Sequence, residues 1–371
     1  MLSIRKSFIL FGILTSVSIA NACNVPVFRY ALERWRVDPY RVTLFHNGPL
    51  SNDEKKIVDM LDAYDKGRKG FPQCLTLTLV DLSKPKAIEE DDLKLWKRQK
   101  SAKAPWVVVE SPYVQLLDED QDEPEFPPPL WSGSLSNKMI HQLLFSPARR
   151  EIAKRILNGQ TGVVVLLESG DKKKDDAAEK LLRQELAKMP KELKLPELTD
   201  DPADQLKETA PPLRIEFSIL RLARDDSAEA GFVRILMHRD PSLAKLKSPL
   251  VFSIFGRGRS LDALADKGID AENIKKDCQF LVGACSCEVK KQNPGFDVLI
   301  DVDWEAGLTG SWVKPPEPPP LTSLFPEPEP QKLSKRVPIW EKQWFRIAAI
   351  SLGGALIVLL IGGTILIRRR M

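Results

Sequence analysis

The chain has 371 residues, 43% of them hydrophobic, which is enough apolar material to build buried cores. Its formal net charge at pH 7 is +4, but six basic residues lie at the two ends, so residues 23 to 345 carry about −2. This balance provides no basic field that would attract nucleic acid, and we expect no nucleic-acid partner. Residues 23 to 310, roughly 290 residues, precede a proline-rich stretch and are enough for two domains of ordinary size.

Residues 1–22 have the three parts of a secretory signal peptide. A cationic start, MLSIRKS, is followed by the apolar run FILFGILTSVSI and the small-x-small site Ala20-Asn21-Ala22. Cleavage before Cys23 leaves a lipoprotein open as an alternative, but Ala20 and Asn21 fit a lipobox poorly and we predict ordinary cleavage. No N-x-Ser/Thr sequon occurs, which favours a bacterial envelope over a eukaryotic secretory route.

The first predicted unit, residues 23–158, alternates strands and helices. Residues 25–35 read as a short strand or coil, and the β-branched and apolar run YRVTLFH predicts a buried strand. Ser51 with Glu54 forms a capping box that predicts the start of a helix. Further strands are predicted in LTLTLVDL, VVVE and PLWSGSLS, and two helices in NKMIHQLLF and SPARREIAKRIL.

In the second predicted unit, residues 159–310, the pattern of strands and helices restarts. Strands are predicted in GVVVLLESG, RIEFSILRLA, GFVRILMH, PLVFSIFG and FDVLIDVDW, and helices in DDAAEKLLRQELAKM and AENIKKDCQFLV. Period two in the last strand would place Asp301, Asp303 and Glu305 on one face, more often a solvated face than a functional one. The order of elements predicts a tandem duplication of one α/β topology.

The end of the chain predicts a membrane anchor. Residues 311–340 form a proline-rich stalk, a semi-rigid spacer in the polyproline II conformation. Residues 345–367 are long and apolar enough for a transmembrane helix, and the tail 368–371 carries three arginines that suit the cytoplasmic face. We therefore expect a single-pass type I protein of the bacterial inner membrane, with its ectodomain in the periplasm.

The transmembrane segment also offers a surface for self-association. Ala349-x-x-x-Gly353 and Ser351-x-x-x-Ala355 place small residues one helical turn apart, which permits close packing of two helices. A homodimer through this helix is a hypothesis.

The first unit resembles the thioredoxin superfamily. A strand ending in Phe45-His46, the tetrad Asn47-Gly48-Pro49-Leu50 and a following helix are similar to the place where a thioredoxin carries Cys-Gly-Pro-Cys. Ala104-Pro105 before the VVV strand is similar to the cis-proline that faces that motif. Because thiol-disulfide exchange needs a thiolate, Asn47 and Leu50 make these active-site positions degenerate.

The second unit is similar in outline, with Ser169-Gly170-Asp171-Lys172 at the corresponding turn and Pro249 as its candidate cis-proline. It also lacks the cysteine pair. The resemblance thus implies two tandem thioredoxin-like domains that are redox-dead and serve in binding. The whole chain further resembles membrane-anchored bacterial proteins, a resemblance that brings no activity with it.

The five cysteines are the most distinctive chemical groups of the chain. Cys278, Cys285 and Cys287 cluster in sequence, and they are candidates for a disulfide, a redox pair or a metal site. The favoured interpretation is a structural disulfide from Cys278 to Cys285 or Cys287. No histidine lies nearby in sequence to complete a zinc site, and the identity of any metal stays unknown.

The sequence therefore predicts a membrane-anchored binding or scaffold protein with a protein partner in the envelope, accessory to a membrane or export complex. We expect no enzyme activity and no cofactor. The alternative is a thiol-disulfide or metal-handling protein that acts through Cys285 and Cys287.

Overall fold

The computed structural model of the protein describes residues 23–100, 102–112, 128–285 and 289–310. They form two β-sheets with helices on their faces, a mixed α/β architecture. Within these ranges no helix is both long and apolar enough to cross a membrane. The predicted signal peptide (1–22), stalk (311–340), transmembrane helix (345–367) and tail (368–371) lie outside the described residues, as does Cys287.

The first sheet occupies the first half of the chain. The elements there are α1 (Val27–Glu33), β1 (Tyr40–His46), α2 (Asn52–Asp65), β2 (Leu75–Asp81), α3 (Glu90–Lys97), β3 (Trp106–Glu110), β4 (Trp131–Ser134), α4 (Asn137–Leu144) and α5 (Pro147–Leu157). The strand order is β2-β1-β3-β4. β1 is parallel to β2 and antiparallel to β3, which is antiparallel to β4.

The second sheet follows. Its elements are β5 (Gly162–Leu167), α6 (Lys172–Leu186), α7 (Met189–Glu192), β6 (Phe217–Leu222), α8 (Ala230–His238), β7 (Leu250–Phe255), β8 (Arg259–Ser260), β9 (Leu264–Ala265), α9 (Ala271–Val282), β10 (Phe296–Asp297) and α10 (Trp304–Leu308). Short 3-10 turns lie at Pro85–Ala87, Pro202–Asp204, Pro241–Lys245, Asp266–Gly268 and Lys290–Gln292. The strand order is β10-β8-β7-β5-β6, with β9 beside β7.

Both sheets repeat one arrangement of strands. In each, the first strand is central, the second is parallel to it on one side, and the third is antiparallel on the other side. The fourth strand pairs antiparallel with the third. We refer to residues 37–157 as the first repeat and residues 158–297 as the second repeat.

A single hydrophobic cluster joins the two repeats. Alternate residues of β1 and β5, such as Val42 and Val163, point into it and are fully buried. The opposite faces are covered separately. Phe45 packs beneath α3, and Val164 packs with α6 and α9. Each central strand is therefore buried on both sides, which explains its nearly continuous apolar sequence.

Three segments differ from the expectation. Residues 25–35, expected as strand or coil, contain helix α1, and GFVRILMH is helix α8 instead of a strand. In α8 the buried residues Phe232, Val233, Ile235 and Leu236 have helical spacing. The sequence does not show this spacing, because nearly every residue of the run is apolar.

The predicted closing strand is also mostly absent. Only Phe296–Asp297 pairs as a strand, and residues 298–302 form a buried extended segment. Asp301 is 2% exposed, whereas Asp303 caps α10 by accepting a hydrogen bond from the Ala306 N–H at 3.0 Å. The expected row of three carboxylates on one strand face is therefore not present, because the strand ends before it.

Each end of the described chain packs against the repeat that is more distant in sequence. α1 packs against α9 and β7 of the second repeat, and the Arg257 side chain donates to the Leu32 carbonyl at 2.7 Å. In the other direction, α10 packs against α5, and Arg150 pairs with Asp301 at 2.9 Å. The two predicted units, 23–158 and 159–310, are therefore in contact, because an element from each unit packs against the other unit.

Candidate functional site

The degenerate turn of the first repeat lies between β1 and α2. Ser51 ends it as the N-cap of α2, since its Oγ accepts from the Glu54 N–H at 3.3 Å and its own N–H donates to Glu54 Oε2 at 2.6 Å. Asn47 and Pro49 are exposed, whereas Leu50 packs against the shared hydrophobic cluster. The turn therefore presents an amide and a proline ring to solvent.

A carboxylate from the neighbouring strand holds this turn in place. The Gly48 N–H donates to Asp81 Oδ1 at 3.1 Å, and the same oxygen accepts from the Ser83 hydroxyl at 2.7 Å. The hydrogen bond from Ser83, then that from Gly48, holds the pKa of Asp81 well below its usual range. His46 Nδ1 donates to the Gly48 carbonyl at 2.7 Å. Both polar groups beside the turn are thus used to fix its backbone.

Pro105 lies at the same end of the sheet. The register of β1 and β3 pairs Phe45 with Trp106, so the next position along places Pro105 beside His46. The Ala104–Pro105 peptide bond is cis, as the resemblance implies for this position. The structure therefore brings together the degenerate tetrad and Pro105, residues that are far apart in the sequence.

In the second repeat the corresponding turn is held in a comparable way. The N–H and hydroxyl of Ser169 both donate to Asp175 Oδ1 at 2.8 Å, and the Gly170 N–H donates to Asp175 Oδ2 at 3.2 Å. Gly48 and Gly170 both have positive φ, 77° and 87°, a conformation that favours glycine. The two carboxylates come from different elements, the end of β2 and the first turn of α6, yet both bind the turn glycine.

The prediction of a cis-proline at position 249 is wrong. The Ser248–Pro249 bond is not cis. The Ser248 carbonyl accepts a hydrogen bond from the Arg224 guanidinium at 2.8 Å, which fixes the chain as it enters β7. The second repeat therefore departs from the first at this position.

The cysteine cluster does not assemble in the described residues. Cys278 is a free thiol buried beneath α6, in the cluster with Val164 and Ile274. Cys285 is also buried, but in another cluster, with Cys23 and Val25. The predicted disulfide from Cys278 to Cys285 is therefore not formed in this structure, because the two side chains lie in different hydrophobic clusters, and the other predicted partner, Cys287, lies outside the described residues.

The buried thiols are poor nucleophiles. Burial, then the nearby Asp277 carboxylate, raises the pKa of Cys278 to about 12. Burial also raises the pKa of Cys74, which lies in the shared cluster. In the part of the chain that the structure describes, no three histidine, cysteine or acidic side chains group closely enough to hold a metal ion.

Several residues of these sites escape sequence reasoning. Asp81 ends the predicted strand LTLTLVDL and Asp175 lies in a helix rich in charge, so neither is distinguishable from a solvated carboxylate. One signal could have identified these two carboxylates. The backbone N–H groups of each glycine turn need a hydrogen-bond acceptor, and a nearby Asp can supply it.

No protein-family profile matches the chain, and no curated protein matches it by sequence. A solved structure described as "Crystal structure of full-length ERdj5" aligns with 9% identity over 68% of this chain and 32% of that chain, with a TM-score of 0.18. A TM-score this low carries no argument about fold or function.

Proposed function

We propose that this protein is a membrane-anchored, extracytoplasmic binding or scaffold protein. Its two repeats would be non-catalytic thioredoxin-like domains, held by the proline-rich stalk and a transmembrane helix at the bacterial inner membrane. Its partner is another envelope protein, and the protein is accessory to a membrane or export complex.

The shared strand order supports the fold part of this proposal. In both repeats a central strand is followed by a helix, a parallel strand and an antiparallel hairpin, the order of elements on which the resemblance rests. The first repeat adds a cis-proline at the expected end of its sheet.

One observation carries the functional part. At both turns a carboxylate beside the glycine is used internally, since Asp81 binds Gly48 and Asp175 binds Gly170. A catalytic turn needs a nucleophile that is left available for a substrate, and these turns contain no thiol. The turn of the first repeat therefore offers an exposed, rigid surface of Asn47 and Pro49, which suits binding.

This proposal is tested by photocrosslinking in intact membranes. A photoreactive amino acid replaces Pro49 in the full-length chain, and a control places it at the exposed Lys69, at the opposite end of the first sheet. We expect one discrete adduct from position 49 and none of that mass from position 69. Identical adduct patterns at both positions would remove the turn as a binding surface.

The thiol alternative is tested separately by alkylation and by activity. We expect Cys278 in the folded full-length protein to resist iodoacetamide at pH 8, and to react once the protein is unfolded, since its pKa lies near 12. Reduction of a disulfide substrate by the wild-type chain, lost in Cys285→Ser/Cys287→Ser, would replace the binding proposal with the thiol alternative. The variant Asn47→Cys/Leu50→Cys is the positive control for the assay.

The membrane anchor has its own test. Deletion of residues 345–367 is expected to release the protein into the soluble envelope fraction, whereas the full-length chain resists alkaline extraction. A full-length chain that alkaline extraction releases would contradict the anchor.

A further inference from the structure

The outer strand of the first sheet carries an exposed apolar edge. β2 lies at the end of the strand order, and along residues 76–80 its only backbone hydrogen-bond partner among the described residues is β1. Leu79 is 47% exposed, one of the few large hydrophobic side chains so exposed in the described ranges. Residues 75–80 contain no charge. An outer strand without charge is a template for pairing with another strand.

The equivalent strand of the second repeat is protected. In β6, Arg221 forms ion pairs with Glu168 at 2.5 Å and with Glu179 at 2.7 Å. Arg155 donates to the Ile219 carbonyl of the same strand at 3.1 Å. Charged side chains on an outer strand oppose pairing with other chains. The two repeats therefore share a topology but differ at this edge, and the difference leaves β2 available.

From this contrast we infer that β2 pairs antiparallel with β2 of a second copy of this chain, with the two-fold axis at Thr78. This inference is independent of the proposed binding role, because it concerns a different surface. Thr78 is the midpoint of Leu75–Asp81, so an axis there overlaps all seven residues of both strands. The result is one continuous sheet of eight strands.

The proposed register of the two β2 strands places their partly exposed leucine side chains opposite one another. Leu75, Leu77 and Leu79 share the face that packs toward the hydrophobic cluster of both repeats. An axis at Thr78 sets Leu77 of each copy opposite Leu79 of the other, and directly opposed side chains lie about 5 Å apart. Both partly exposed leucines are thereby covered, which a strand of unrelated sequence would not ensure.

Charge favours the antiparallel arrangement. In a parallel pair the two Asp81 carboxylates would lie side by side, and like charges directly opposite destabilise a sheet. In the antiparallel pair each Asp81 lies opposite Leu75 of the other copy, so the carboxylates are separated by roughly 20 Å. The second copy is therefore the occupant that this edge fits.

Disulfide trapping in the full-length chain tests this arrangement. Thr78→Cys would meet its own copy at the axis, and mild oxidation should join two chains. The control Leu198→Cys places a thiol at another exposed apolar position, 39% exposed, outside any strand. We expect about tenfold more disulfide-linked dimer from Thr78→Cys than from Leu198→Cys or the wild type.

A second pair of variants separates edge pairing from association through the membrane segment. Adding Leu79→Lys to Thr78→Cys places a charge on the edge and should reduce the linked dimer about tenfold. Adding Leu198→Lys instead should leave it unchanged. Equal trapping of Thr78→Cys and Leu198→Cys would overturn the inference, and so would trapping that is insensitive to Leu79→Lys. Circular dichroism of each variant shows that the fold is retained.

Discussion

At the scale of single residues, the two repeats approach each other closely at Gly231. A Cβ built there would lie 1.9 Å from the Gln142 carbonyl oxygen, so α8 crosses α4 with no room for a side chain. We expect Gly231→Ala to lower the free energy of unfolding by about 1–3 kcal/mol, because the helices must move apart. Urea denaturation measures this loss. Gly268→Ala is the control, since a Cβ there would meet nothing within 4 Å.

A half-buried carboxyl group beside Cys278 predicts a dependence of stability on pH. Burial raises the pKa of Asp277 to about 6, while the Ser253 hydroxyl, which donates to it at 2.8 Å, opposes this shift. The folded state thus holds a proton more tightly than the unfolded chain. The resulting stabilisation is complete below the usual carboxyl pKa, near 4, and is lost as the pH rises through 6.

Asp277→Asn removes this dependence, because the amide stays neutral and can still accept from Ser253. Relative to the wild type, the variant should gain about 1–2 kcal/mol in unfolding free energy between pH 4 and pH 8. Urea titrations at intervals of one pH unit measure the gain, with the exposed Asp59→Asn as control. A difference from the wild type that is the same at every pH would contradict the assignment.

At the scale of elements, helix α2 begins where the degenerate turn ends, so its cap connects stability to the candidate site. Ser51→Ala removes the side-chain oxygen of the capping box and should cost about 1 kcal/mol. Ser51→Asp keeps an acceptor at the N-cap and should recover most of this loss. Thermal unfolding distinguishes the two, and equal stability of Ala and Asp variants would show that the cap does not stabilise α2.

Elements with a strong local signal could be predicted from the sequence. The capping box located the start of α2, and the β-branched runs located β1, β5 and β7, since these signals are encoded within a few residues. α8 could not be told from a strand, because its short apolar run fits both periods. The conformation of residues 298–302 depends on Arg149, which donates to the Leu299 carbonyl from more than a hundred residues away, and local sequence patterns do not contain such a contact.

The candidate site was also predicted only in part, because some of its contacts join residues that are distant in sequence. The tetrad 47–50 and Pro105 follow from a family resemblance, and the sheet register brings them to one end. Their carboxylate partners Asp81 and Asp175 required the tertiary structure. The cysteines illustrate the limit most clearly, since short spacing suggested a bridge from Cys278, whereas Cys278 and Cys285 lie in different hydrophobic clusters.

At the scale of the whole molecule, a buried arginine joins the first repeat to the buried segment 298–302. Arg149 is 1% exposed, and its guanidinium donates to the carbonyls of Leu299 and Leu143, the latter at 2.9 Å. Because one hydrophobic cluster includes both sheets, loss of these hydrogen bonds should weaken both repeats together. We expect the wild-type protein to unfold in a single transition.

Arg149→Met keeps much of the side-chain volume but leaves buried carbonyls without a donor. It should lower the unfolding free energy by about 1–3 kcal/mol for each carbonyl left without a donor. Hydrogen exchange measured by mass spectrometry should report similar losses for the amides of β1 and β5. Lys154→Met, an exposed change on the same helix, should leave both strands protected. Loss of protection in only one strand would mean that the repeats open independently, and that a partner could engage one repeat while the other remains folded.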